Sequence, residues 1–377
     1  MRKLTSILSL AVILLALSCS SPPRRVVIGI ALTSSNHSAV QLAVKEINEG
    51  GGIAGIPVEL VGLDWKVASD FEAKDIIERA NGFAQMKDLV AVIGHSDSAS
   101  TLSAAAVYNR QRIPQIVTIA TNPAITNIGD WTYRMCLSDS IQGVALARYA
   151  VKEWGKKKIC VFYVNDAYGK GLVQVFETEL RRLGGSILSS RMCRNVLSDD
   201  DKEMVNASLT HLKKGGPDLF VLFDRSAAAD WTIKAIREAG FQTDILGGDN
   251  LGTPAFIRSN SEMKEGIRVS QFFSPSPEDD VPMRFVNSFR EFTGSDPDYG
   301  QAFAYDAVYL LRDAVLKRGS SREGVKNYLD YLIREEVVTS GVGGPYVLGS
   351  DHDARRKMYI VEGRKGRFER VKVLSPE

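Results

Sequence analysis

Short apolar runs alternate with longer amphipathic ones from Val26 onward, and this rhythm restricts the fold more than any other feature of the chain. "RVVIGIAL" is followed by "SAVQLAVKEINE", in which Val40, Ala43, Val44 and Ile47 recur at helical spacing. "IPVELVGLD" then reads as a strand, and "SDFEAKDIIERANGFAQM" as a helix opened by a Ser69-x-x-Glu72 capping box. "LVAVIG", a helix through "SAAAVYNRQ", a strand in "IPQIVTIA" and the segment "YRMCLS" complete the set. Strands separated by single helices predict a parallel sheet covered by helices on both faces.

The same rhythm restarts after Asp139, with strands "KKICVFYVN", "SILSSRM", "PDLFVLF" and "TDILGGD" separated by single helices. This predicts a second doubly wound α/β unit. From about Phe273 three helical segments follow without intervening strands, and they are expected to return to the first unit. The closing strands "GPYVLG", "KMYIVEG" and "RFERVKVL" are expected to join the second. The basic residues of this tail alternate with apolar ones, the pattern of a hairpin with one solvated face rather than of an anion-binding patch.

At 377 residues, 44% hydrophobic and 24% charged, the chain has material for two cores. Residues 1–18 resemble an export leader, with Arg2 and Lys3 preceding the apolar "SILSLAVILLALS". Loss of that leader takes the formal charge from +2 to zero, which gives nucleic-acid binding no support. "LLALSC" resembles a bacterial lipobox and marks Cys19 for lipidation, with residues 19–25 as a tether. Three cysteines remain, Cys136, Cys160 and Cys193, so at least one is unpaired within the chain. None lies in a C-x-x-C and the four histidines lack ligand spacing, so no metal or cofactor is expected.

Two enzyme-like motifs fail on context. Gly50, Gly52 and Gly55 spell G-x-G-x-x-G, but they follow a helix and precede a strand, the reverse of a dinucleotide site, and read as a helix end and turn. "GHSDS" begins like a hydrolase elbow around Ser96, yet Ser98 replaces the second glycine, and neither His211 nor His352 sits in a strand-end loop. A serine-rich strand-to-helix turn is better suited to holding a carboxylate with backbone N–H groups and hydroxyls. Ser98 lies in such a turn, and Thr121 ends the next strand. In open α/β sheets ligands bind beyond the carboxyl ends of the strands. Tyr168 and Asp249 occupy strand ends of the second unit, where Asp249 could be a counter-ion for a ligand cation or a helix cap.

The stretches "QLAVKEINEGGGIAGIPVELVGLD", "VAVIGHSDSASTLSAAAVYNRQRIPQIVTIATNPAIT", "YRMCLSDSIQGVALARYA", "VFYVNDAYGKGL", "IKAIREAGFQTDILGGD" and "AYDAVYLLRDAV" resemble the type I periplasmic binding proteins, leucine/isoleucine/valine-binding branch. The resemblance implies two doubly wound Rossmann-like lobes joined by three crossings and closing on a ligand, residues 26–139 and 273–342 forming one and residues 140–272 and 343–377 the other. It implies a monomer that hands an amino acid of branched-chain or similar type to ABC permease subunits and faces the periplasm or cell exterior on a lipid anchor. A receptor-linked sensor, or a binder of a non-amino-acid carboxylate or amide, is the alternative. The positions it assigns to the α-carboxylate are Ser98, Ile119 and Thr121, with Asp249 for the α-ammonium and Tyr168 over the ligand. Asp249 is an Asp where the family pattern has Glu, one methylene longer, and three further departures bear on the pocket, the last two on the walls that choose the side chain. Ile119 stands where a small residue is usual, "SSNHS" replaces a longer loop, and Arg225 and Ser226 stand where an aromatic contact is common.

Overall fold

The computed structural model describes residues 25–64, 72–213 and 215–375. Cys19 and the leader lie outside the described residues, as does Ser69 of the expected capping box. Five parallel strands form the first sheet: β1 (Val26–Ala31), β2 (Val58–Val61), β3 (Leu89–Gly94), β4 (Gln115–Val117) and β5 (Thr132–Arg134), in the order β2-β1-β3-β4-β5. Every residue of β1 and β3 is buried, as expected of parallel strands covered on both faces. Burying each Val or Ile there contributes about 1.5–3 kcal/mol.

Helices α1 (Ser34–Glu49), α2 (Ala73–Gln85) and α3 (Ser98–Arg110) connect these strands. Helix α1 begins four residues before the "SAVQ" expected from periodicity, so "SSNHS" is its first turn and not a loop; Asn36 and His37 are buried within it. Helix α2 is capped by Glu72 and Asp75, placing the capping box three residues later than predicted. After α1 the chain reverses through the glycines, where Gly51, Gly52 and Gly55 have φ of 93°, 77° and 82°.

The second sheet has seven strands in the order β14-β13-β10-β9-β8-β6-β7. Of these, β6 (Lys158–Val164), β7 (Ser186–Cys193), β8 (Leu219–Phe223), β9 (Asp244–Gly247) and β10 (Arg268–Gln271) are parallel. Strand β13 (Met358–Arg364) runs antiparallel to β10, and β14 (Arg367–Leu374) antiparallel to β13. The accompanying helices are α4 (Asp139–Arg148), α5 (Ala167–Arg182), α6 (Asp199–Leu212), α7 (Ser226–Glu238) and the short α8 (Pro254–Arg258).

Helix α9 (Asp280–Thr293) packs on α1, α10 (Tyr299–Arg318) packs on α1 and α11 (Arg322–Arg334), and α11 reaches β3. The chain therefore passes between the two halves three times: between β5 and α4, between β10 and α9, and between α11 and β13. The third passage holds a correction. "GPYVLG" does not extend the second sheet; β11 (Val347–Leu348) pairs with β12 (Ala354–Arg355) in a separate ladder. Its turn is pinned to β5, because Arg134 donates through Nε and Nη2 to the two carboxylate oxygens of Asp353 at 2.8 and 2.7 Å, with both side chains buried. Cys136, Cys160 and Cys193 are each buried and free.

Candidate functional site

Four strand ends converge on one cleft. At the first, Gly94 has φ +140°, and a Cβ there would stand 2.5 Å from the Ala31 carbonyl oxygen, so glycine lets β3 turn. Asp97 caps α3 by accepting the Ser100 N–H at 2.9 Å, which makes Ser98 the first helical residue. Ser96 Oγ accepts the Thr33 N–H at 2.7 Å, while His95 is buried with Nε2 3.1 Å from the Tyr108 hydroxyl. Burial pushes the His95 imidazole down to about 4. His352, one of the two downstream histidines, stacks on Tyr133. This is not the geometry of a serine nucleophile with a base.

At the second strand end Thr121 is buried, and its carbonyl accepts the Asp139 N–H at 2.8 Å. At the third, Asp166 caps α5 by accepting the Gly169 N–H at 2.9 Å, leaving Tyr168 in the first turn. At the fourth, Asp249 follows β9. Its Oδ1 accepts from Tyr168 Oη at 3.0 Å and Gln142 Nε2 at 3.0 Å, and its Oδ2 accepts from Tyr299 Oη at 2.8 Å. A Cβ on Gly248 would sit 2.5 Å from Tyr168 Oη, so glycine permits that approach.

Gln142 organises a second carboxylate. Its Nε2 also donates to Asp139 Oδ1 at 2.9 Å, while its Oε1 accepts from the Ser270 hydroxyl at 2.7 Å and the Asp249 N–H at 3.2 Å. Asp139 and Asp249 are both buried. Burial, then the charge of Asp249, holds the Asp139 carboxyl well above the usual carboxylate range. Burial also raises Asp249, opposed by its donors Gln142, Tyr299 and Tyr168. An incoming cation beside Asp249 would favour the charged form of a carboxyl that burial and its neighbour Asp139 otherwise push toward neutrality.

Ser98, Ile119 and Thr121 face Tyr168, Arg225 and Asp249 around a single cavity of about 20 Å³. This holds on the order of one water. Ser226 is not among its lining residues; it is the first residue of α7, and the preceding Arg225 projects there instead. Arg225 Nη2 donates to Asp166 Oδ2 at 2.6 Å. Contact between the halves is direct: Asn122 Nδ2 donates to the Ala167 carbonyl at 2.6 Å, and the Tyr299–Asp249 bond joins α10 to β9. A larger cavity of about 640 Å³ lies between residues 273–282, the 340–345 segment and β13–β14, away from the converging strand ends.

Asp139, Gln142 and Tyr299 were not singled out from the sequence. Asp139 and Gln142 stand three apart at the start of α4, a local signal in "SDSIQG"; Tyr299 has none, being 50 residues from its partner. Among the described residues no group of three or more His, Cys, Asp or Glu could hold a metal ion, and no helix is long and apolar enough to cross a membrane.

A family model described as periplasmic binding protein matches residues 29–367. The chain belongs to this family. Within it the type I, leucine/isoleucine/valine-binding branch is indicated by curated relatives and solved structures together. It is 30% identical over 308 residues to an amino acid binding protein of Pseudomonas aeruginosa, covering 78% of this chain and 79% of the relative. It is 28% identical over 304 residues to Leu/Ile/Val-binding protein homolog 1 of Brucella abortus, covering 78% of each. Among solved structures, an ABC transporter substrate-binding protein of Desulfitobacterium hafniense in complex with Leu is 25% identical, with a TM-score of 0.78 over 92% of this chain and 100% of that one. The fold is shared with a solute-binding protein of R. palustris in complex with benzoate, 19% identical, with a TM-score of 0.79 over 93% and 97%. The family is one of solute-binding proteins with an α/β, two-lobed architecture.

Proposed function

We propose that this protein is the extracytoplasmic solute-binding lipoprotein of an ABC importer and captures an amino acid by lobe closure. The reading assigns residues 1–18 to a leader, Cys19 to the lipid anchor and residues 19–25 to a tether. It assigns residues 26–139 with 273–342 to one lobe and 140–272 with 343–377 to the other, with β11 and β12 belonging instead to the passage pinned to β5. Ser98, the backbone at Ile119, and Thr121 receive the ligand carboxylate on the first lobe; Tyr168 and Asp249 then close on its ammonium. Ser226, outside the cavity lining, has no direct part in this scheme.

One observation carries the reading: Asp249 is buried, held by three side-chain donors, and faces the Ser98 and Thr121 ledge across the cavity. Three oriented donors hold Asp249 in place to receive a cation. Closure is a ligand-driven population shift that an importer's permease can read. Titration calorimetry of amino acids tests this. Asp249→Ala should weaken binding by about 2–5 kcal/mol, because a buried ammonium would be left unpaired. Unchanged affinity would remove the assignment.

A second reading, a binder of a carboxylate lacking the ammonium, is favoured by the fold shared with the benzoate-bound protein of R. palustris. It requires Ser98→Ala to weaken binding while Asp249→Ala leaves it nearly intact.

A further inference from the structure

Arg225 occupies a position that its local structure does not explain. It is the N-cap residue of α7, in extended conformation, and its side chain caps nothing. A cation at a helix N-terminus is opposed by the helix dipole, so helix stability is not what holds it there. Its guanidinium lines the ligand cavity, where Asp166 engages Nη2 at 2.6 Å. Nε and Nη1 have no hydrogen-bond partner among the described residues, and the side chain is about one-third exposed.

The rest of the wall is as polar. Ser96, Asp97 and Asn250 line the cavity beside the carboxylate ledge, and its apolar surfaces are Ile119, Ala120 and the ring of Tyr168. A leucine or valine side chain placed here would cover the Nε and Nη1 donors of Arg225 without satisfying them, which costs binding energy. Asp166 and Asp97 already place two negative charges near the one guanidinium. A third anion is therefore disfavoured, whereas a neutral oxygen acceptor can take an unused N–H at Nε or Nη1.

We infer that Arg225 reads the ligand's side chain and selects a neutral, acceptor-bearing amino acid of the carboxamide class over branched aliphatic ones. This rests on the amino-acid reading above. The test is calorimetric titration of glutamine, asparagine, glutamate, leucine, valine and benzoate into the wild-type protein and the Arg225→Met, Arg225→Lys and Asp249→Ala variants. Glutamine or asparagine should bind wild type at least about 10-fold more tightly than leucine, since a site built around polar donors rejects ligands that leave them unpaired. Arg225→Met should shrink that ratio about 10-fold or more. Should Arg225→Met not fold, Arg225→Lys, which keeps the charge but loses the separate Nε and Nη1 donors, should shrink it in the same direction. Tighter binding of leucine, valine or glutamate than of the amides to wild type overturns the inference, as does an unaltered ratio in the Arg225 variants. If leucine is preferred and lost in Asp249→Ala, the inference alone fails; if no amino acid binds and benzoate does, both readings fail.

Discussion

Asp249 is a buried carboxylate whose hydrogen bonds come from three separate parts of the chain: Gln142, Tyr168 and Tyr299. Tyr299 is the donor that crosses between the halves. Tyr299→Phe keeps the ring and removes only the hydroxyl, and a hydrogen bond to a charged group contributes about 1.5–3 kcal/mol. Calorimetry should show amino-acid affinity reduced by about that amount; equal affinity would mean that Tyr299 only packs. A second residue sets a pH dependence. Asp224, buried at the end of β8, has its carboxyl pushed up to about 7, chiefly by burial and against the N–H of Arg225. The folded state thus holds this proton more tightly than the unfolded chain. Its stabilising contribution is complete below the unfolded value near 4 and is lost as pH rises through about 7. Thermal unfolding of Asp224→Asn should show a higher midpoint than wild type at about pH 8 and a smaller difference at about pH 5.

At the scale of elements, the site depends on helix starts and on one clamp. Asp97 and Asp166 cap α3 and α5, fixing where Ser98 and Tyr168 stand. Asp97→Ala removes a cap that contributes about 0.5–2 kcal/mol, so denaturant unfolding should register a loss of that size. The clamp is Arg134 with Asp353, which ties the third passage between the halves to β5; Arg134 also donates through Nη1 to the Asn122 carbonyl at 2.7 Å. Asp353→Ala leaves a buried guanidinium with its charge uncompensated, a change that costs about 3–5 kcal/mol. The urea midpoint should fall accordingly, and an unmoved midpoint would show that the pair contributes nothing net.

For the molecule as a whole, two sheets joined by three passages make a hinge whose closed form buries the converging strand ends. The cavity of about 20 Å³ is too small for an amino acid, so the proposed function requires the halves to part for a ligand to enter. A ligand bound only by the folded protein raises its stability by mass action, about 2.7 kcal/mol at a hundredfold excess over Kd. A thermal-shift screen of amino acids and small carboxylates should therefore identify the ligand as a rising midpoint. Carboxylates that stabilise wild type and Asp249→Ala equally would support the second reading.

Alternation of apolar and amphipathic runs determined two doubly wound α/β units, because that periodicity is local and each strand must be covered on both faces. Strand carboxyl ends were legible for the same reason, and Ser98, Thr121, Tyr168 and Asp249 do lie around one cavity. Details that depend on a few atoms at an element's edge were not. "SSNHS" becomes helix because α1 starts after Thr33, and the cap of α2 moves to Glu72. Only tertiary structure decided that Arg225 and not Ser226 enters the cleft, that Gln142 links its neighbour Asp139 to Asp249, 107 residues further on, and that Tyr299 reaches over from α10. Those contacts depend on how the three passages align the two sheets, and a pairing between distant residues leaves no periodic trace in either segment.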